Sequence, residues 1–316
     1  MPESLPPEVR ATKARLDRFV EEELLPLERS LEGPPEATVP VDVRRRVRAA
    51  SKAAGFWEAQ RRRRGEGGTS ALELTVIRET LAKHNLRVSQ YMFGPGPGLL
   101  ASAEGQLREE YTDKVLAGEK SGAFGFTEPD DIDRSQQTRA VLSADGSTLS
   151  VTGQKSYVTG GAAADFVAVL ANVKESDGRT ARGTAMVVVD RDSPGVTIER
   201  EFTSMDGGPS HAFMRFKDVQ VPAWHVVGKL GEGLPRALGQ IGNVRLALAA
   251  ECVGLSMWAV ELVEEHLRAP HRSGSPLGSR EGVRLRLADL RIEVFAARAM
   301  LYRAARLVHS GEDAVQ

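Results

Sequence analysis

The sequence predicts an α+β multidomain chain: an N-terminal α-helical domain over residues 1–120, a middle antiparallel β-barrel or sandwich domain over 121–230, and a C-terminal helical-bundle domain over 231–316. Apolar residues recur at helical spacing before residue 120, alternate in short β-rich runs between 121 and 222, and return to helical spacing afterwards. A composition of 41% hydrophobic and 27% charged residues excludes a disordered or collagen-like chain. The 316 residues are about two domains' worth at roughly 150 residues each, so a sizeable core is within reach.

The first helix is read from Val9, Leu16, Phe19, Val20 and Leu24, one apolar stripe on a charged segment. Further helices are predicted at 41–54, 69–90 and 104–117, punctuated by Gly33-Pro34-Pro35, Gly65 to Gly68, and Gly94-Pro95-Gly96-Pro97-Gly98. Strands are predicted at 140–143, 148–153, 165–171, 184–190 and 211–216. Asp145-Gly146 predicts a hairpin with a type I′ turn, and the lack of interleaved helices predicts a mainly antiparallel sheet. Residues 243–268 are apolar nearly all round, which predicts a buried helix. The last helix carries Val283, Leu287, Leu290, Val294, Ala297, Leu301, Ala304 and Val308 at bundle spacing. That stripe needs cover from the amino-terminal helices and other subunits, or from polypeptide beyond Gln316.

Forty-two basic against 43 acidic side chains leave no global field to draw in nucleic acid or anionic lipid, so neither partner is expected. The single cysteine, Cys252, rules out an internal disulfide and fits the cytoplasm. No run of 18 apolar residues exists and the amino terminus lacks an export-type stretch, so no membrane association is expected. The six histidines show no ligand spacing and no metal is expected. Arg61 to Arg64 read as solvated surface, and GPGPG at 94–98 reads as a loop whose prolines remove the amides a phosphate would need.

Two segments stand at the joint between the helical and β regions: FGFTEPD at 124–130 and GQKSYVTGGAAAD at 153–165. With FVEEELLPLE (19–28), MRFKDVQVPAWHVVGKLGEG (214–233), NVRLALAAECVGL (243–255) and RLADLRIEVFAARAMLYRAA (286–305), they make the chain resemble the acyl-CoA dehydrogenase family over essentially its whole length. The resemblance implies FAD as cofactor, an acyl-CoA or acyl-carrier thioester as substrate, α,β-dehydrogenation as the reaction, and an electron-transferring flavoprotein as acceptor. It also implies a homo-oligomer, dimer or tetramer.

The same resemblance places Phe124, Phe126 and Thr127 at the flavin, together with Tyr157, Val158 and Thr159. Backbone amides and a threonine hydroxyl at a strand end suit the negative charge that a reduced isoalloxazine carries near N1 and O2. Thr159 matches the hydroxyl near flavin N5, and Tyr157 the aromatic that packs on the ring. Arg245 matches an arginine beside the acyl-CoA; read without the family, it is a helix N-terminal arginine paired with a nearby carboxylate. The chain departs from the family pattern where DDIDRS (130–135) replaces the acyl-CoA contact segment, leaving Ser135 as a displaced substrate contact. Gly160 replaces an asparagine. Pro270 and Ser273 replace the arginine and phenylalanine near the FAD pyrophosphate, with Arg268 or Arg272 as substitutes. No catalytic base is matched: Val244 occupies one family position for it, and Glu251 has no motif support. Two alternatives stand beside the dehydrogenase: a non-catalytic subunit of the same fold pairing with a complete partner, and a flavin monooxygenase on this fold.

Overall fold

The apolar stripe of the first helix becomes the buried side of α1 (Pro7–Phe19), which begins on a proline whose missing amide is no loss in a first turn. The helix runs on through one π-helical turn, Val20–Leu24, into α2 (Leu25–Arg29). Leu16, Phe19, Val20, Leu24 and Leu27 pack with Val43 and Val47 of α3 (Val41–Ala53) and with Ile77 and Leu81 of α4 (Ala71–His84). A capping box formed by Ser70 and Glu73 opens α4, and Asn85, left-handed at φ 46, closes it. The stretch expected as one helix over 69–90 is therefore α4 followed by a separate 3-10 turn, Arg87–Tyr91.

The computed structural model describes residues 4–34, 37–61, 69–129, 137–177, 179–205 and 210–312. The chain divides into two units, Met1–Gly94 with Asn243–Gln316, and Pro95–Gly242. The first holds α1 to α4, the larger part of α7 (Gly233–Arg268) and α8 (Glu281–Ser310). A charged network closes it: Glu79 of α4, 1% exposed, accepts from Arg298 and from the Tyr302 hydroxyl at 2.7 Å. The α8 stripe faces inward at Val294, Ala297, Leu301 and Ala304. The buried helix expected at 243–268 is different in the structure. It starts ten residues earlier, and Leu248, Leu255, Leu262 and Val263 are exposed, because α4 and α8 of the described chain cover only one side of it. Leu285, Ile292, Phe295 and Met300 give α8 a second, exposed apolar side.

The second unit holds the short helices α5 (Gly105–Leu107) and α6 (Asp113–Ala117), joined by a π-helical turn, and a seven-stranded sheet. Its strands are β1 (Gly122–Gly125), β2 (Arg139–Leu142), β3 (Thr148–Thr159), β4 (Phe166–Lys174), β5 (Ala181–Asp190), β6 (Val196–Phe202) and β7 (His211–Pro222). The sheet is mainly antiparallel, but β1 and β2 both run parallel to β4. β5 occupies the whole of one β4 edge, so β1 (against 166–169) and β2 (against 172–174) lie end to end along the other. Side chains from β1 to β5 and β7 meet in one apolar cluster, with Val196 and Ile198 of β6 packed on it, so the sheet curls around its inner face. The outer face of β1, β4 and β5 packs on Leu100, Leu107, Tyr111 and Val115. The hairpin at Asp145-Gly146 is not a type I′ turn: only Gly146 has a positive φ. The Asp145 carboxylate instead accepts from the Ser147 amide and the Ser143 and Ser147 hydroxyls, which hold it down at about 2.

Candidate functional site

β3 runs six residues past its expected end because two bulges let it follow β7, one between Val151 and Gly153 and one between Lys155 and Val158. At the second bulge Tyr157 adopts φ 57, a left-handed backbone unusual for a bulky residue. Lys155 and Ser156 are thereby both turned inward, Tyr157 out, Val158 in and Thr159 out. Tyr157, 51% exposed, has its ring 5.4 Å from Phe213 and 5.8 Å from Phe202. Thr159 pairs with His211 across the β3–β7 ladder, its Oγ1 3.0 Å from His211 Nδ1.

The chain after β1 is fastened to this bulge. The Ser156 amide donates to the Thr127 carbonyl at 2.9 Å. Lys155 Nζ donates to the Phe126 carbonyl and to Glu128 Oε1, both at 3.0 Å. Glu128 Oε1 also accepts from the Thr138 amide at 2.8 Å. Lys155 is only 2% exposed, and burial pushes its ammonium below the ordinary lysine range against the pull of Glu128. Glu128 is less deep: burial pushes its carboxyl upward, but the Thr138 amide and Lys155 outweigh that and hold it below the usual carboxylate range.

Three donors are left over at this strand end. Neither the Thr127 hydroxyl nor the amides of Phe126 and Thr127 meet an acceptor among the described residues, and Thr127 is exposed. Free donors gathered on an ordered backbone form a ready site for a polar, electron-rich ligand edge.

The site residues read from sequence fall into three groups. Thr127, Tyr157 and Thr159 are brought to one region by the Ser156–Thr127 bond and are all exposed. Val158 is fully buried in the inner cluster, so only its backbone is available to a ligand. Phe124 and Phe126, rings 5.8 Å apart, point to the outer face, where Phe124 joins Leu99, Leu100, Val115, Phe166 and Gln240 around a cavity of about 140 Å³. Ser135 lies outside the described residues. Arg245 sits in the other unit, exposed and twelve residues into α7 rather than at its opening, with no carboxylate partner among the described residues. Arg268 is paired with Glu264 at 3.3 Å, and Glu251 with Arg78 at 2.5 Å. Sequence reasoning missed Lys155, Glu128 and His211 as members of the site. A lysine in a strand two residues from its exposed aromatic, with a glutamate directly after Thr127, was the available signal.

The middle domain of acyl-CoA dehydrogenases matches residues 123–219, and their C-terminal domain matches residues 231–316. The chain belongs to the acyl-CoA dehydrogenase family. Among acyl-CoA dehydrogenases it is 30% identical over 249 residues to a short-chain-specific enzyme of Megasphaera elsdenii, a match covering 76% of this chain and 64% of that one. It thus spans less than two thirds of that curated relative. A Mycobacterium abscessus crystal structure described as a probable acyl CoA dehydrogenase superposes with TM-score 0.73 at 26% identity, over 98% of this chain and 81% of the other. A FAD complex of PigA shares the fold at 19% identity, with TM-score 0.75 over 99% and 82% of the two chains. The acyl-CoA dehydrogenase fold of helical and curled β domains is therefore the fold of this chain.

Proposed function

We propose that this protein is an FAD-dependent flavoprotein that dehydrogenates an acyl thioester, acyl-CoA or acyl-carrier, at its α and β carbons. The observation that carries the reading is the set of unpaired donors at Phe126 and Thr127, held beside the bulge that exposes Tyr157 and Thr159. They fit a flavin ring, whose N1 and O2 edge asks for fixed hydrogen-bond donors. FAD, when bound, supplies the hydride acceptor for the β-hydrogen and passes electrons on to an electron-transferring flavoprotein.

In this assignment Thr127 donates through its hydroxyl and amide, Tyr157 offers an apolar face, and the Thr159 hydroxyl is oriented by His211. Ser135 and Arg245 are the candidate contacts to the thioester. Removing the α-proton requires hydrogen bonds to the thioester carbonyl that acidify it, and a base. Glu251 has no motif support as that base and is paired with Arg78. The exposed apolar sides of α7 and α8 support a homo-oligomer, dimer or tetramer. By length and hydropathy α7 would suffice to cross a membrane, but Glu251 and its Arg78 partner favour a protein-facing role. A net charge of −1 and the free Cys252 support a cytoplasmic protein without a nucleic-acid partner.

The test is the absorbance spectrum of the purified protein, followed by anaerobic titration with a panel of acyl-CoA thioesters. Flavin bands that bleach with one of them are expected. A colourless protein that takes up no added FAD would refute the reading.

A further inference from the structure

We infer that Lys155 is a positioning residue: it fixes the backbone of residues 126–128 so that the donors of Thr127 face the flavin edge. The inference rests on the flavin reading above. Lys155 is the deepest charged side chain among the described residues of the β unit, and its ammonium donates to two protein acceptors, one on each side of Thr127: the Phe126 carbonyl and Glu128 Oε1. The next residue, Ser156, binds the Thr127 carbonyl itself. Three consecutive residues, 126, 127 and 128, are thus held by two consecutive residues of the bulge. Glu128 is braced in turn by the Thr138 amide, and the Thr138 hydroxyl donates to the Gln154 carbonyl at 3.1 Å.

Such a clamp has a cost, because a buried ammonium and carboxylate each give up hydration, and an apolar pair of similar volume would serve the core at least as well. What an apolar pair could not do is bind a carbonyl. With the Phe126 and Thr127 carbonyls drawn toward β3, the hydroxyl and amide of Thr127 are left without acceptors among the described residues, free for a ligand to use. No donor in this arrangement reacts; Lys155 acts through Thr127.

The experiment compares wild type with Lys155→Met, the double variant Lys155→Met with Glu128→Gln, Glu128→Gln alone, and a core control in the same sheet, Val187→Ala. FAD affinity is read by fluorescence quenching, the flavin reduction potential by anaerobic dye equilibration, and folding by far-UV circular dichroism and thermal melting. Both Lys155 variants should bind FAD at least tenfold more weakly. Their potential should fall by about 30 mV, the two-electron equivalent of a tenfold lower preference for reduced flavin. Glu128→Gln keeps an acceptor oxygen for Lys155 but removes its counter-charge, so it should lower the melting temperature while weakening FAD binding and lowering the potential less than either Lys155 variant does. Val187→Ala should lower the melting temperature and leave the potential unmoved. Lys155 variants that fold, melt lower and keep the wild-type affinity and potential would overturn the proposal. So would loss of the folded sheet in both Lys155 variants, which would assign the side chain to the fold alone. A wild-type protein that binds no FAD would instead sink the flavin reading itself.

Discussion

Gly160 and Gly161 sit side by side after Thr159, and the structure gives each a different reason to be glycine. Gly160 has φ +69, but a Cβ built on it meets nothing within 4 Å. Its constraint is backbone strain alone, about 1–2 kcal/mol for an ordinary L-residue in the left-handed region, and less for asparagine, which visits that region readily. A larger residue also restricts the unfolded chain, which returns about 0.4–1 kcal/mol. Gly160→Asn should therefore change stability by less than about 0.5 kcal/mol, and Gly160→Val, β-branched, should cost about 1–2 kcal/mol. Gly161 is the opposite case. Its Cβ would lie 2.8 Å from Val158 Cγ1 and 2.9 Å from Met214 Sδ, both fully buried side chains, so Gly161→Ala should cost about 1–3 kcal/mol by overpacking. Urea denaturation of the three variants, with FAD affinity measured on each, checks the ordering. If Gly160→Asn were as damaging as Gly160→Val, or Gly161→Ala as mild as Gly160→Asn, the separation of strain from packing would be wrong.

Further outcomes are expected from the same structure. Thr127→Val keeps the shape and removes one donor, so FAD should bind about tenfold more weakly, the effect of one hydrogen bond worth about 1.4 kcal/mol, while circular dichroism stays unchanged. Glu79→Gln leaves Arg298 facing an amide inside the helical unit and should cost about 3–5 kcal/mol in urea denaturation; a loss under 1 kcal/mol would show the network to be dispensable. Burial holds His225 below the ordinary histidine value of 6.5, with its Nδ1 hydrogen given to the Val188 carbonyl at 2.8 Å, and burial and then Lys83 lower His84 likewise. The unfolded chain then binds more protons than the folded one below about pH 6.5, so stability falls as pH drops through that point. Melting temperatures between pH 7.5 and 5 should show it, with a shallower slope in His225→Phe.

The parts of the fold legible in the sequence are those whose pattern is local. The α1 stripe, α3 at 41–53, and β4 and β5 were visible because each side chain's face follows from its own neighbours. β1 was not: Gly122-Ala123-Phe124-Gly125 has little strand propensity and is made a strand by pairing with β4, Gly122 lying opposite Phe166. β6 escaped for another reason, since VTIEREF is mostly exposed and lacks the apolar alternation that marks a half-buried strand. At the site, Thr127, Tyr157 and Thr159 were found through their motifs. The Lys155–Glu128 pair was hidden because it joins positions 27 apart and because the bulge turns Lys155 and Ser156 to the same side, against strict alternation. The apolar surround of α7 was legible, but its burial was not, since burial depends on what lies against the helix rather than on its own composition.

The end-to-end placement of β1 and β2 on one edge of β4 has a consequence for how this chain tolerates change. In an unbroken strand, one inserted residue flips every later side chain to the opposite face of the sheet. Here each half takes its register from β4 independently, so residues gained or lost between Pro129 and Gln137 should leave both registers, and the contacts of residues 126–128 and Thr138, in place. The interruption insulates the scaffold from changes in the segment between the two halves. DDIDRS, at 130–135, falls inside that interval, between the two half-strands. The two halves of that edge can hold their places while the stretch between them changes.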